Sequence, residues 1–451
     1  MRQRHLTILC FILLLSVSSG FVGCTTSEIS QRPVTSYSVP AEDAYVFPEV
    51  KESELEKEYD LLQNNAVSVT SSDFILEPYQ DGVAIASYKG SSLNIRIPDS
   101  LDGQNVLLIK KEAFKDCPGM ETLIIESTNL SLETGVLSGC ESLKLLQVPG
   151  FAEGDCIASL FGKTDWTFNR PSVPSTLKYI VYTGDTLGDH AMAECHQLKL
   201  AVLTEHVKTI GSAALFGCRE LEILRLDHGI LEIGNYAFLN CASLEKMTIP
   251  DSVEKIGFGI LQNCSKLTSL SIPYLGSGEE AVPDEDYLSY DFGASSYAFP
   301  NYIPNTLTRV ILTKGREIAP YAFHSCQYLR EIILPESLEK IDERAFYMCT
   351  RLRSVKIPDG ATEIGKGAFA HCERLSRVVL PATLTKLDIQ AFHMCFSLKE
   401  ITIPDSLSEI GNSAFSECIS LTKVILPQNI TIGSDAFYHT PFEDSSRSSE
   451  T

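Results

Sequence analysis

The chain has 451 residues, 44% hydrophobic and 21% charged, with a formal net charge of −21. That composition supplies apolar material for a long core and restricts disorder to local stretches. Its sign excludes a phosphate-neutralising surface, and no basic stripe, zinc-finger or homeodomain pattern occurs, so no nucleic-acid partner is expected. Residues 25–60 hold nine acids against three bases, and 274–306 hold six acids and no base. Tyr321 to Pro427 balances at thirteen acids and twelve bases, so the charge sits mainly in a leader segment and a loop.

Met1-Arg2-Gln3-Arg4-His5 precedes an apolar run, Leu6 to Leu15, followed by small residues and Gly23-Cys24. This is the order of a secretory signal, and the run is too short for a comfortable membrane span. Phe21-Val22-Gly23-Cys24 resembles a bacterial lipobox. Gly23 and Cys24 fit; Phe21 stands where Leu is usual, which leaves ordinary signal cleavage open. The resemblance implies removal of 1–23, acylation of Cys24 as the membrane anchor, and a place at the cell envelope or surface. Residues 24–70 show no sustained period and include the acidic run Glu49 to Asp60, which reads as a flexible, solvated tether with room for a short helix.

From residue 71 to 442 a 23-residue period organises the chain, marked by Cys117 and Cys140, by Cys195, Cys218, Cys241 and Cys264, and by Cys326, Cys349, Cys372, Cys395 and Cys418. The shared phrase is A-F-x-x-C-x-x-L-x-x-V/I-x-I/L-P. In Ile401-Thr402-Ile403 the period of two points both isoleucines inward and Thr402 outward, and proline then ends the strand. One unit cannot bury its apolar face alone, so copies stack and pair their strands in parallel. Glycine at 211, 234, 257, 365 and 411 reads as a turn needing positive φ, with Asp342 and Asp388 replacing it in two units. A twelfth unit, with Thr440 in the cysteine slot, reads as a terminal cap before a polar tail, 443–451.

These residues resemble the BspA-like leucine-rich repeats, a bacterial surface class. The resemblance implies a right-handed repeat solenoid with a parallel β-sheet on one face and short helical or irregular segments elsewhere, exposed at the surface for adhesion or protein binding.

The period breaks near 150–176 and 274–306. Both inserts carry a Phe-Gly pair, 161–162 and 292–293, and then Val173-Pro174-Ser175-Thr176-Leu177 or Ile303-Pro304-Asn305-Thr306-Leu307, so a larger block reads as duplicated. Trp166, the only tryptophan, and Tyr287, Tyr290 and Tyr297 make the inserts candidate recognition loops, or else plugs at the solenoid edge. Outward strand positions vary: Leu145, Leu200 and Ile223 early, then Lys246, Ser269, Glu331, Ser354, Arg377, Glu400 and Lys423, with Ile333, Lys356, Val379, Thr402 and Ile425 beside them. Arg377, Lys423, Ile333, Val379 and Ile425 are candidate partner contacts on a charge-mixed face, which suits a protein or glycan at the cell exterior better than a small-molecule substrate.

No catalytic signature of the metalloprotease, hydrolase-elbow, P-loop or dinucleotide type occurs, and no C-x-x-C or clustered histidine ligand set, so neither an enzyme, a cofactor nor a metal is expected. A structural envelope component and a surface hydrolase are the alternative readings. The regular cysteine spacing points to reduced, buried thiols, because equivalent residues of stacked rungs lie about 5 Å apart with parallel Cβ vectors. Cys156 is off the pattern and reads as a candidate reactive thiol, and His324, His371 and His393 as solvated edge residues.

Overall fold

The computed structural model describes residues 53–152, 154–278 and 285–443. The expected signal segment, Cys24, the first part of the tether and residues 444–451 lie outside them.

Each unit forms one rung of a parallel solenoid. Ile401 and Ile403 are buried while Glu400 and Thr402 face out, as alternation requires. Stacking gives fifteen principal strands, from Val67–Ser68 to Lys423–Ile425, in consecutive sheets of seven, six and two that adjoin across each junction. Two-residue strands such as Glu363–Ile364 and Lys386–Leu387 build a second parallel ladder, whose side chains pair from rung to rung: Lys255 with Glu232 at 2.6 Å and Lys340 with Glu317 at 3.2 Å. Exposed pairs of this kind add little stability, so the core must carry it.

Two files of side chains run through that core. Phe323, Phe346, Phe369, Phe392, Phe415 and Phe437 stack at 4.9–5.5 Å with interplanar angles of 2–6°. Beside them the thiols of Cys140, Cys218, Cys241, Cys264, Cys349, Cys372, Cys395 and Cys418 each donate to a backbone carbonyl of the preceding rung, as Cys372 does to Phe346 O at 3.2 Å and Cys395 to Phe369 O at 3.3 Å. The described cysteines are all free. Burial pushes the thiols of Cys140, Cys218 and Cys264 up to about 12. Cys156 is also fully buried and its pKa is raised by burial, so the expectation of a reactive thiol there is not met. At the end of the array Thr440 donates to Phe437 O at 2.6 Å and Phe442 packs edge-on against Phe437, which closes the ring file.

The repeat glycines act differently from expectation. Those at 211, 234, 257, 365 and 411 do not have positive φ; the left-handed residue is two positions on, at Ala213, Tyr236, Gly259, Gly367 and Ser413. Glycine is required because a Cβ at Gly257 would lie 2.4 Å from Asn235 N and one at Gly411 2.5 Å from Asp388 C. Asp342 and Asp388 likewise lack positive φ, and each accepts the next residue's N–H at 2.7 Å.

The expected tether also needs correction over its described part. Glu54–Asn65 is an α-helix (α1), opened by a capping box in which Ser53 and Glu56 exchange side-chain-to-backbone bonds. Leu55, Tyr59, Leu62 and Ala66 fall on one face of its turn and pack against Ile124, Leu145, Tyr179 and Leu200 on the outward side of the sheet. Val67–Ser68 then pairs with Asn94–Ile97 as the first strand.

Candidate partner-binding surface

The outward sheet face divides into a covered and an open part. Two outward columns run along it. One passes through Thr122, Leu145, Tyr179, Leu200 and Ile223 to Lys246, Ser269, Arg309, Glu331, Ser354, Arg377, Glu400 and Lys423. Its members from Leu145 to Ile223 are apolar because α1 lies over them, and Arg225 of the second column, which runs through Gln147, Val181 and Val202, holds Glu56 of α1 at 2.6 Å. The helix backbone is held too, by Arg96 donating to Gln63 O at 3.1 Å.

Beyond Ile223 the face is uncovered within the described residues. Arg377 is exposed and makes no ion pair among them, whereas Lys423 pairs with Glu400 at 3.0 Å and Arg309 with Glu331 at 3.3 Å. Val379 and Ile425 are 41% and 42% exposed in the second column, and Ile333 is half-buried. The five sheet candidates therefore share one face, Ile333 least accessibly.

The inserts stand elsewhere, along the edge of turns that carries the repeat cysteines. There successive rungs bond backbone to backbone, and the inserts supply the missing members: Gly135 N donates to Ser159 O at 2.7 Å and Ile157 N to Ala191 O at 2.8 Å, while Leu261 N donates to Asp291 O and Leu288 N to Ala322 O. Buried Asn169 ties the first insert further, accepting from Ala158 N and donating to Ala193 O, both at 3.0 Å. The principal sheet runs on without a gap, Tyr179–Tyr182 pairing with Leu145–Val148 and Arg309–Leu312 with Ser269–Ile272. The short-strand ladder instead breaks at both inserts.

This bridging spends part of the predicted aromatic surface. Tyr287 is buried, with its hydroxyl on Ala294 O at 3.1 Å, and Tyr290 packs edge-on against Phe258. Trp166 is half-buried and stacked on His190 at 4.5 Å; Tyr297 is 38% exposed and stacked on Tyr321 at 4.4 Å. A row of rings continues through His324, Tyr347, His371 and His393. These histidines are half-buried in that row rather than solvated, and burial lowers the pKa of His324 and His393. The contributors that sequence reasoning missed are the docking of α1 on the sheet, whose signal was the 55, 59, 62, 66 spacing that begins within the acidic run, and this ring row, whose members recur two residues before or just at the cysteine's flank.

A BspA-type leucine-rich repeat model matches in six copies, over residues 88–180, 185–278 and 316–443. The chain belongs to that family. No protein of curated function matches it. Among solved structures it is similar to a leucine-rich repeat protein from Bacteroides ovatus, at 21% identity over 74% of this chain and 94% of that one, with a TM-score of 0.35. A leucine-rich cell surface protein from Faecalibacterium prausnitzii shares 19% identity over 80% and 95%, with a TM-score of 0.28. An internalin from Listeria monocytogenes shares 14% over 65% and 83%, with a TM-score of 0.33.

Proposed function

We propose that this BspA-type repeat protein is an exported, lipid-anchored surface protein that binds a partner protein through the open part of its outward sheet face, and that it is not an enzyme. The observation that carries the reading is the change along one face: apolar residues under α1, then an uncovered, charge-mixed surface with aliphatic spots at Val379 and Ile425. Such a surface has the mixed polarity of protein interfaces and offers no enclosed reaction site. The family's surface-exposed character supports the location. Cys24 is assigned as the lipid anchor, residues 24–52 as the spacer, and 443–451 as a polar tail.

The test is capture of the full chain on arrays of extracellular-matrix and cell-surface proteins. A binder is expected, and Arg377→Glu with Lys423→Glu should weaken it by about tenfold or more while leaving the fold intact within about 0.5 kcal/mol each. Silence on every array would favour an envelope scaffold. Loss of binding through Trp166→Ala or Tyr297→Ala alone would move the contact to the inserts.

A further inference from the structure

The duplicated block contains its own comparison. In both inserts a threonine ties the loop to an earlier rung, Thr176 to Glu141 O and Thr306 to Ser265 O, each at 2.9 Å. The residue two places after the next repeat cysteine then differs. After Cys195 it is Gln197, whose amide donates to Pro174 O at 3.3 Å and so bridges the insert to the rung. After Cys326 it is Tyr328, which makes no such bond to Pro304; its ring is 40% exposed and lies under the Arg351 guanidinium at 4.8 Å. A cleft of about 320 Å³ stands at this second position.

Asn301, Asn305, Gln327 and Tyr328 supply polar groups, Pro300 and Pro304 apolar ones, and among the described residues no Lys, Arg, His, Asp or Glu lines the cleft. None of the three amide side chains hydrogen-bonds within the described residues. The walls are preformed: Ile303 N donates to Pro300 O and Leu307 N to Pro304 O, each at 3.0 Å, and Thr306 reaches Leu267 O at 2.8 Å. Phe299 and Tyr302, in and beside the same turn, are 51% and 47% exposed.

We propose that this cleft is a subsite for one neutral saccharide ring of a surface glycan. An amide both donates and accepts, which matches neighbouring sugar hydroxyls that do both. An aromatic face carries negative charge density and attracts the C–H face of a pyranose. No charged side chain among the described residues lines the cleft, and the nearby Arg351 guanidinium is stacked on the Tyr328 ring, so a phosphate or carboxylate finds no counter-charge in the lining itself; the cleft's size lies at the small end of ligand pockets. An extended peptide is disfavoured, because the cleft presents no free strand edge and both prolines lack an N–H.

The experiment titrates the full chain with lactose, N-acetyllactosamine, maltose and chitobiose, with 3′-sialyllactose and a proline-rich decapeptide as comparators, by saturation-transfer NMR and calorimetry. At least one neutral disaccharide should bind, with transfer concentrated on one ring. Tyr328→Gln and Asn305→Ala should each weaken it by about tenfold, as loss of a matched polar or stacking partner does. Both positions are surface sites, so an unchanged thermal transition accompanies the loss. Binding of no neutral disaccharide, equal binding in both variants, or preference for the peptide overturns the proposal. Charge reversal at Arg377 and Lys423 leaves this binding unchanged, which separates its failure from that of the sheet-face reading.

Discussion

Phe369 and Phe238 occupy the same slot of two rungs and are both fully buried, but their neighbours differ. Phe369 lies between Phe346 at 4.9 Å and Phe392 at 5.2 Å, with both planes within 2° of its own. Phe238 has Leu215 and Leu261 in the slots of its adjoining rungs and no ring contact among the described residues. Leucine at either position loses the same ring atoms and leaves a similar small void, a cost of about 1–2 kcal/mol for a large-to-smaller apolar change. At Phe369 two ring–ring contacts go as well, each worth about 0.5–1.5 kcal/mol beyond area burial. Phe369→Leu should therefore destabilise by about 1–3 kcal/mol more than Phe238→Leu. Urea unfolding followed by far-UV circular dichroism measures this, with the slope checked in each variant because coupled rungs can uncouple. Equal midpoint shifts at equal slopes would refute the claim that the phenylalanine file stabilises by stacking rather than by burial alone.

Denaturation without reductant should release the repeat thiols to a thiol reagent that barely reacts with the folded chain; a count near zero would mean they are paired. Below the unfolded-chain thiol pKa of about 8.5 both states hold neutral thiols and nothing is lost. As pH rises from there toward the folded values, about 12 at Cys218 and Cys264, only the unfolded chain releases protons, and stability should fall by about 1.4 kcal/mol per pH unit per thiol. Unfolding midpoints that are flat between pH 8.5 and 10.5 would contradict this. Leu62→Asp should lift α1 from the sheet, exposing Tyr179 and hastening amide exchange over 54–65 with little change beyond residue 246; unaltered exchange would show that Leu62 does not hold the helix. Cys24→Ala should move the protein from the detergent phase to the aqueous phase, and unchanged partition would end the lipid-anchor reading.

The sequence by itself determined the rung: alternation in Ile401-Thr402-Ile403, proline after the strand, and cysteines 23 apart are local patterns, and repeating a local pattern fixes stacking, parallel pairing and the thiol file. It also placed Arg377, Lys423, Val379 and Ile425 on one outward face, because a strand's period of two does not depend on distant partners. Tertiary structure decided what depends on the neighbouring rung or on remote segments. Gly257 is glycine because Asn235 of the previous rung lies where a Cβ would be, not because of its own φ. The acidic run Glu49 to Asp60 looked fully solvated, yet its end docks on strands far along the chain, and the Glu56–Arg225 pair spans 169 residues. Tyr287 looked like a recognition residue and is buried, because the inserts must first satisfy the backbone groups of the rungs they separate. A chain's local periods set which way each side chain points; which outward surfaces stay open is set only when remote segments compete to cover them.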